Sequence, residues 1–99
     1  METPAMNVLL ETYRQEILRI ASSNKIASVK VFGSFAKNEA TPDSDLDLLV
    51  ELQEGATGFA LGGFLMDVEE LTGRKVDVVT ENALHPTIRN RVLAESIAL

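Results

Sequence analysis

Asp45 and Asp47 stand one residue apart in a segment, Asp45-Leu46-Asp47-Leu48-Leu49-Val50, that otherwise reads as a buried strand. A strand repeats every two residues, so both carboxylates face one way while Leu46, Leu48 and Val50 face the other. The later segment Lys75-Val76-Asp77-Val78-Val79 repeats the device, with Asp77 on the face opposite Val76 and Val78. If the two segments are neighbours in a sheet, about 4.8 Å apart, three carboxylates crowd together. Like charges that close repel and raise one another's pKa. Divalent ions would neutralise them, and free carboxylate oxygens suit Mg²⁺ or Mn²⁺, hard ions that also take phosphate oxygens.

Upstream of the acids, Gly33-Ser34 breaks a β-rich run that ends at Phe32. Gly33 allows a ligand to approach the backbone closely, because no side chain intervenes. The N–H groups that follow open what reads as a short helix over 35–40, where anions bind favourably. Ser34 adds a hydroxyl donor. An anion holder facing an acidic metal site suits a nucleoside triphosphate and its metals. The triphosphate would lie against Gly33-Ser34, and metals would bridge it to Asp45, Asp47 and Asp77. Two such ions stabilise the attacking and leaving oxygens of an in-line displacement at phosphorus.

The elements that must hold these groups alternate along the chain. Thr3 reads as an N-cap with Pro4 at the first helical position. Leu10, Tyr13, Ile17, Ile20 and Ala21 then recur at helical spacing until Ser22-Ser23-Asn24 ends the helix. A strand follows over 27–32, with Val29 and Val31 on one face. After the helix at 35–40, Thr41-Pro42-Asp43-Ser44 marks a turn, and the acidic strand runs over 46–52. A loop at 55–58 precedes a helix over 59–72. Its inward stripe is Leu61, Phe64, Leu65, Val68 and Leu71, and Gly73 is its C-cap. The third strand is 75–80. Pro86 opens a last short helix, with Ile88, Val92 and Leu93 on its apolar side. The pattern predicts an α/β (α+β) fold, a small mixed sheet with helices packed on one face, as a single domain over 1–99.

The bulk properties bound the function. The chain has 99 residues, a net charge of −6, a pI near 4.6 and no cysteine. Disulfides and thiolate zinc sites are excluded. The negative field repels nucleic-acid phosphates and acidic lipid, so no nucleic-acid or membrane partner is expected. No stretch has the length of a membrane span or the pattern of a secretory signal, which predicts a cytoplasmic protein.

Other readings of the same residues are blander. Asp43, Asp45, Asp47 and Glu54 fall at calcium-loop positions, but Leu48 stands where that loop needs glycine. A solvated acidic edge strand leaves Gly33-Ser34 and Asp77 unexplained. Lys37 reads equally as a solvated helix residue or a phosphate contact. Arg74 and Lys75 read as strand-edge charges, one of which could meet ATP, and His85 as a surface or capping residue.

Gly33-Ser34, ten intervening residues, Asp45-x-Asp47 and a third acid on a later strand resemble the DNA polymerase β-like nucleotidyltransferase superfamily. The short length and the text GSFAKNEATPDSDLDLLVEL resemble its minimal, antitoxin-type branch, which is paired with HEPN-domain partners. The resemblance covers most of the chain. It implies the polymerase β-like fold and Mg²⁺-dependent transfer of AMP from ATP to a tyrosine of a HEPN toxin, which silences the toxin. Gly33 and Ser34 match the phosphate-holding pair, and Asp45 and Asp47 match the metal-binding acids. Asp77 matches the acid that binds the catalytic metal and helps deprotonate the acceptor. Lys37-Asn38 replaces the family's usual Arg-Gly. Lysine keeps the charge without the planar fork, and asparagine tolerates a left-handed backbone.

A chain this short has no residues for an acceptor-binding domain. The acceptor is therefore expected on a second protein or in a homodimer groove, and a small-molecule acceptor is disfavoured. A non-catalytic antitoxin that masks its partner by binding alone is the alternative from another class.

Overall fold

The computed structural model describes residues 5–99, so the expected cap at Thr3 and Pro4 lies outside the described residues. Helix α1 (Ala5–Ser23) leads into strand β1 (Ile26–Phe32), and β2 (Leu46–Leu52) follows a turn-rich connection. Helix α2 (Gly58–Thr72), β3 (Val76–Thr80), a 3₁₀ turn (Glu81–Ala83), α3 (Pro86–Glu95) and β4 (Ile97–Ala98) complete the order. The strands form one mixed sheet in the order β3-β2-β1-β4. β1 runs antiparallel to β2 and β4, whereas β2 and β3 are parallel.

Strand parity builds the core. Leu46, Leu48 and Val50 are buried on one face of β2, together with Val29 and Val31 of β1 and Val76 of β3. Ile17 and Ala21 of α1 and Phe64 and Val68 of α2 pack over them. Leu46, Leu48, Phe64 and Val68 have no exposed surface at all, and each contributes about 1.5–3 kcal/mol by leaving water. Gly73 ends α2 with a left-handed φ of 65° while its N–H donates to the Glu69 carbonyl oxygen, as a glycine C-cap should.

The two long helices lie on the expected face. The short α3 lies on the other, where Ile88, Val92 and Leu93 pack with Leu49, Val79 and Phe32. Leu49 and Val79 share the parity of Asp47 and Asp77, so the acid-bearing face is apolar one step further along the strands. β4 was not expected. It is two residues long and exists through its pairing with Lys30 and Val31.

The predicted helix over 35–40 does not form. The segment is a single turn in which the Lys37 N–H donates to the Gly33 carbonyl oxygen (3.1 Å) and the Glu39 N–H to the Ser34 carbonyl oxygen (2.9 Å). Asn38 sits at φ 64°. That left-handed residue and the six-to-one bond across it are the pattern that stops a helix, here after one turn.

Candidate active site

β1 delivers Gly33 to the acids. Its last residue, Phe32, pairs with Asp47 of β2, and Gly33 follows at φ 72°. A Cβ built on Gly33 would overlap the Asp47 carboxylate. Glycine is therefore needed twice, for the left-handed backbone and for the space that Asp47 fills. Phe35, buried in the core, anchors the turn that carries Ser34.

The parallel pairing of β2 and β3 sets Asp47 directly beside Asp77. Asp45 shares their parity two residues upstream. Burial raises the Asp47 pKa most, and the charges of Asp77 and then Asp45 raise it further. All three causes disfavour the anion. Asp47 is half-buried, whereas Asp45 and Asp77 are exposed at the sheet edge. The Lys75 ammonium lies 3.9 Å from an Asp45 carboxylate oxygen.

The structure thus brings Gly33, Asp47 and Asp77 together, with Asp45 coupled electrostatically to Asp47. It does not close a cage: among the described residues, no three His, Asp or Glu side chains are arranged to hold a metal ion. The donor set nevertheless fits a hard divalent cation. It consists of carboxylate oxygens, and Asp47 carries the like-charge penalty that such an ion relieves. Lys37 is not aimed at this centre. Its ammonium pairs with Glu95 of α3 at 3.4 Å.

Arg74 has a place at this site that sequence pattern undervalues. Its Nη1 donates to the carbonyl oxygens of Thr41 (3.3 Å), Pro42 (3.2 Å) and Ser44 (2.8 Å). Its guanidinium lies over the Phe35 ring, 5.0 Å from the centroid. No periodicity announces this, because the contacts span some thirty residues of chain. Ser44 is a turn former, as expected, accepting from the Thr41 N–H at 2.8 Å. His85 caps α3 by accepting from the Thr87 N–H at 3.1 Å. A cavity of about 330 Å³ lies further along the sheet, lined by Ser28, Lys30, Glu51 and Thr80 among others, and by none of the candidate residues.

The chain as a whole is similar to known proteins. The family model described as a nucleotidyltransferase domain matches residues 12–99. A Methanocaldococcus jannaschii protein provisionally named a protein adenylyltransferase is 36% identical over 84 residues, which cover 85% of this chain and 90% of that protein. A solved structure provisionally described as a minimal nucleotidyltransferase superposes with a TM-score of 0.83 at 39% identity, over 95% of each chain. A solved complex described as a tri-AMPylated Shewanella oneidensis HEPN toxin with an MNT antitoxin matches with a TM-score of 0.65 at 16% identity, over 89% of this chain and 69% of that one. At that identity the likeness shows the shared fold alone.

Proposed function

We propose, from the premise that this chain belongs to the nucleotidyltransferase domain family in its minimal form, that it moves AMP from ATP onto a hydroxyl of a partner protein. The partner is then a HEPN-type toxin, the acceptor a tyrosine, and this chain the antitoxin. The observation that carries it is the register of β2 on β3, which sets Asp47 beside Asp77 with the Gly33 backbone against Asp47. The named activity of the M. jannaschii relative and the AMPylated state of the Shewanella toxin point the same way.

Each residue then has a task. The backbone of Gly33 and the N–H and hydroxyl of Ser34 hold the triphosphate, with Lys37 as an added charge once it leaves Glu95. Asp45, Asp47 and Asp77 would hold Mg²⁺, two ions in the fullest form. When bound, the metal neutralises phosphate charge and favours in-line displacement. The acceptor oxygen forms a bond to the α-phosphorus, and the bond from that phosphorus to the pyrophosphate oxygen breaks. Asp77, exposed at the open edge, takes the acceptor's proton. The open edge also suits an acceptor that arrives on another protein.

Incubation with α-labelled ATP, Mg²⁺ and the protein encoded next to this gene is expected to label that protein. Absence of label, with both proteins folded and associated, overturns the proposal. The second reading, masking by binding alone, is favoured by the Lys37–Glu95 pair and the open acid cluster. It prevails if a D45N/D47N variant still neutralises the partner in full.

A further inference from the structure

We infer that Arg74 is the positioning residue of the site, holding the segment that carries Asp45 against the turn that carries Gly33-Ser34. The inference rests on the proposed nucleotide-and-metal reading for its functional consequence, but on geometry alone for the positioning.

Three separate segments carry the candidate groups, and Arg74 touches or belongs to all of them. Its Nη1 gathers the carbonyl oxygens of Thr41, Pro42 and Ser44, the residues just before Asp45. Its guanidinium plane covers Phe35, the residue just after Ser34. Its own backbone lies two residues before the start of β3 and three before Asp77. Lys75, the next residue, adds to the clamp. Its carbonyl oxygen accepts from the Leu46 N–H at 2.9 Å, and its ammonium faces Asp45. The loop at 41–44 is otherwise held by its own short-range bonds among Thr41 and Ser44. A planar guanidinium can stack and donate at once, whereas an ammonium cannot. Arg74 touches neither Asp47 nor Asp77 among the contacts described, so it acts through the chain that places Asp45.

The test compares wild type with R74A and R74K at a temperature where circular dichroism shows all three folded. In the metal-free protein, hydrogen exchange of the Ser44 and Leu46 amides is expected to accelerate in R74A, while that of Leu48 and Val50 in the sheet is unchanged. ATP affinity is measured with Mg²⁺ and again in EDTA. Loss of a group that orients metal ligands costs about tenfold or more in metal affinity. R74A is therefore expected to weaken Mg²⁺-dependent ATP binding about tenfold and the EDTA value less than twofold. A purely structural role would lower the melting temperature and leave that ratio unmoved. R74K should change the ratio in the same direction by a smaller factor, and it decides the matter if R74A does not fold. Unchanged amide exchange at 41–46 overturns the positioning claim. An unchanged ratio in folded variants overturns its functional consequence. If wild type binds no Mg²⁺-nucleotide, the proposed function fails, and the exchange measurement still decides whether Arg74 positions the loop.

Discussion

The two faces of β2 differ by a single step of the chain. On one, Leu46, Leu48 and Val50 are sealed beneath α1 and α2. On the other, Asp47 stands at the open edge, Leu49 is covered by α3, and Glu51 is exposed again. The first face is uniform and dry, and its side chains are interchangeable in kind. The second is graded along its length, from charged to apolar to charged. One strand therefore presents an all-apolar face and a face where carboxylates and a buried leucine alternate with position, because parity sends alternate side chains to different environments. Substitutions on the two faces should have separable effects.

Phe64→Ala on the dry side should have the largest effect, removing about 3–5 kcal/mol of stability through a cavity that neighbours cannot fill. Urea denaturation measures it, and the undamaged fraction should keep its nucleotide affinity. Gly33→Ala comes next. The left-handed φ alone costs an alanine about 1–2 kcal/mol, and its methyl group would displace the Asp47 carboxylate. Unlike Phe64→Ala, this change should abolish nucleotide binding in protein that remains folded.

Asp47→Asn sharpens the contrast by reversing the sign. The folded pKa of Asp47 lies above its ordinary value of 3.8, so the native state binds its proton more tightly than the unfolded chain does. Stability from this group is thus highest below pH 3.8 and declines as pH rises through the raised folded value. The Asn variant lacks that decline. At neutral pH it should melt at a higher temperature than wild type, as thermal melts across pH 3–8 would show, while a labelled-ATP assay should show loss of adenylyl transfer. A variant that melts lower at neutral pH would contradict the like-charge account.

Glu95→Gln should have the smallest effect. It frees Lys37 from a half-exposed ion pair, and such pairs are worth about 0–1 kcal/mol. ATP affinity should therefore rise by no more than about fivefold, read by calorimetry. An unchanged affinity would mean that Lys37 plays no part in phosphate binding.

Much of this was legible in the residues. Alternation in Asp45-Leu46-Asp47-Leu48 and in Val76-Asp77-Val78 gave both strands and the facing of their acids, and parallel pairing then aligned Asp47 with Asp77. The α2 stripe and its Gly73 cap were equally plain. The turn at 35–40 was misread because Phe35, Ala36, Lys37, Glu39 and Ala40 are all compatible with a helix. One left-handed residue, Asn38, ends it, although asparagine's tolerance of that backbone was the available clue. The placement of α3 was hidden because periodicity shows that a helix has an apolar side, not which face of the sheet receives it. Leu49 and Val79, apolar at the parity of the acids, were the signal. β4 and the Arg74 clamp depend on partners distant in the chain, and no local pattern encodes them.

If β2, β3 and the Gly33 turn together form one metal–nucleotide site, Mn²⁺ with ATP should broaden the backbone amide resonances of all three at once. The signals of Gly33, Ser34, Asp45, Asp47 and Asp77 are expected to broaden first and together, and Asp47→Asn to abolish the effect. Broadening scattered over the acidic residues of α1 and α2, or none at these five positions at saturating Mn²⁺–ATP, would contradict it.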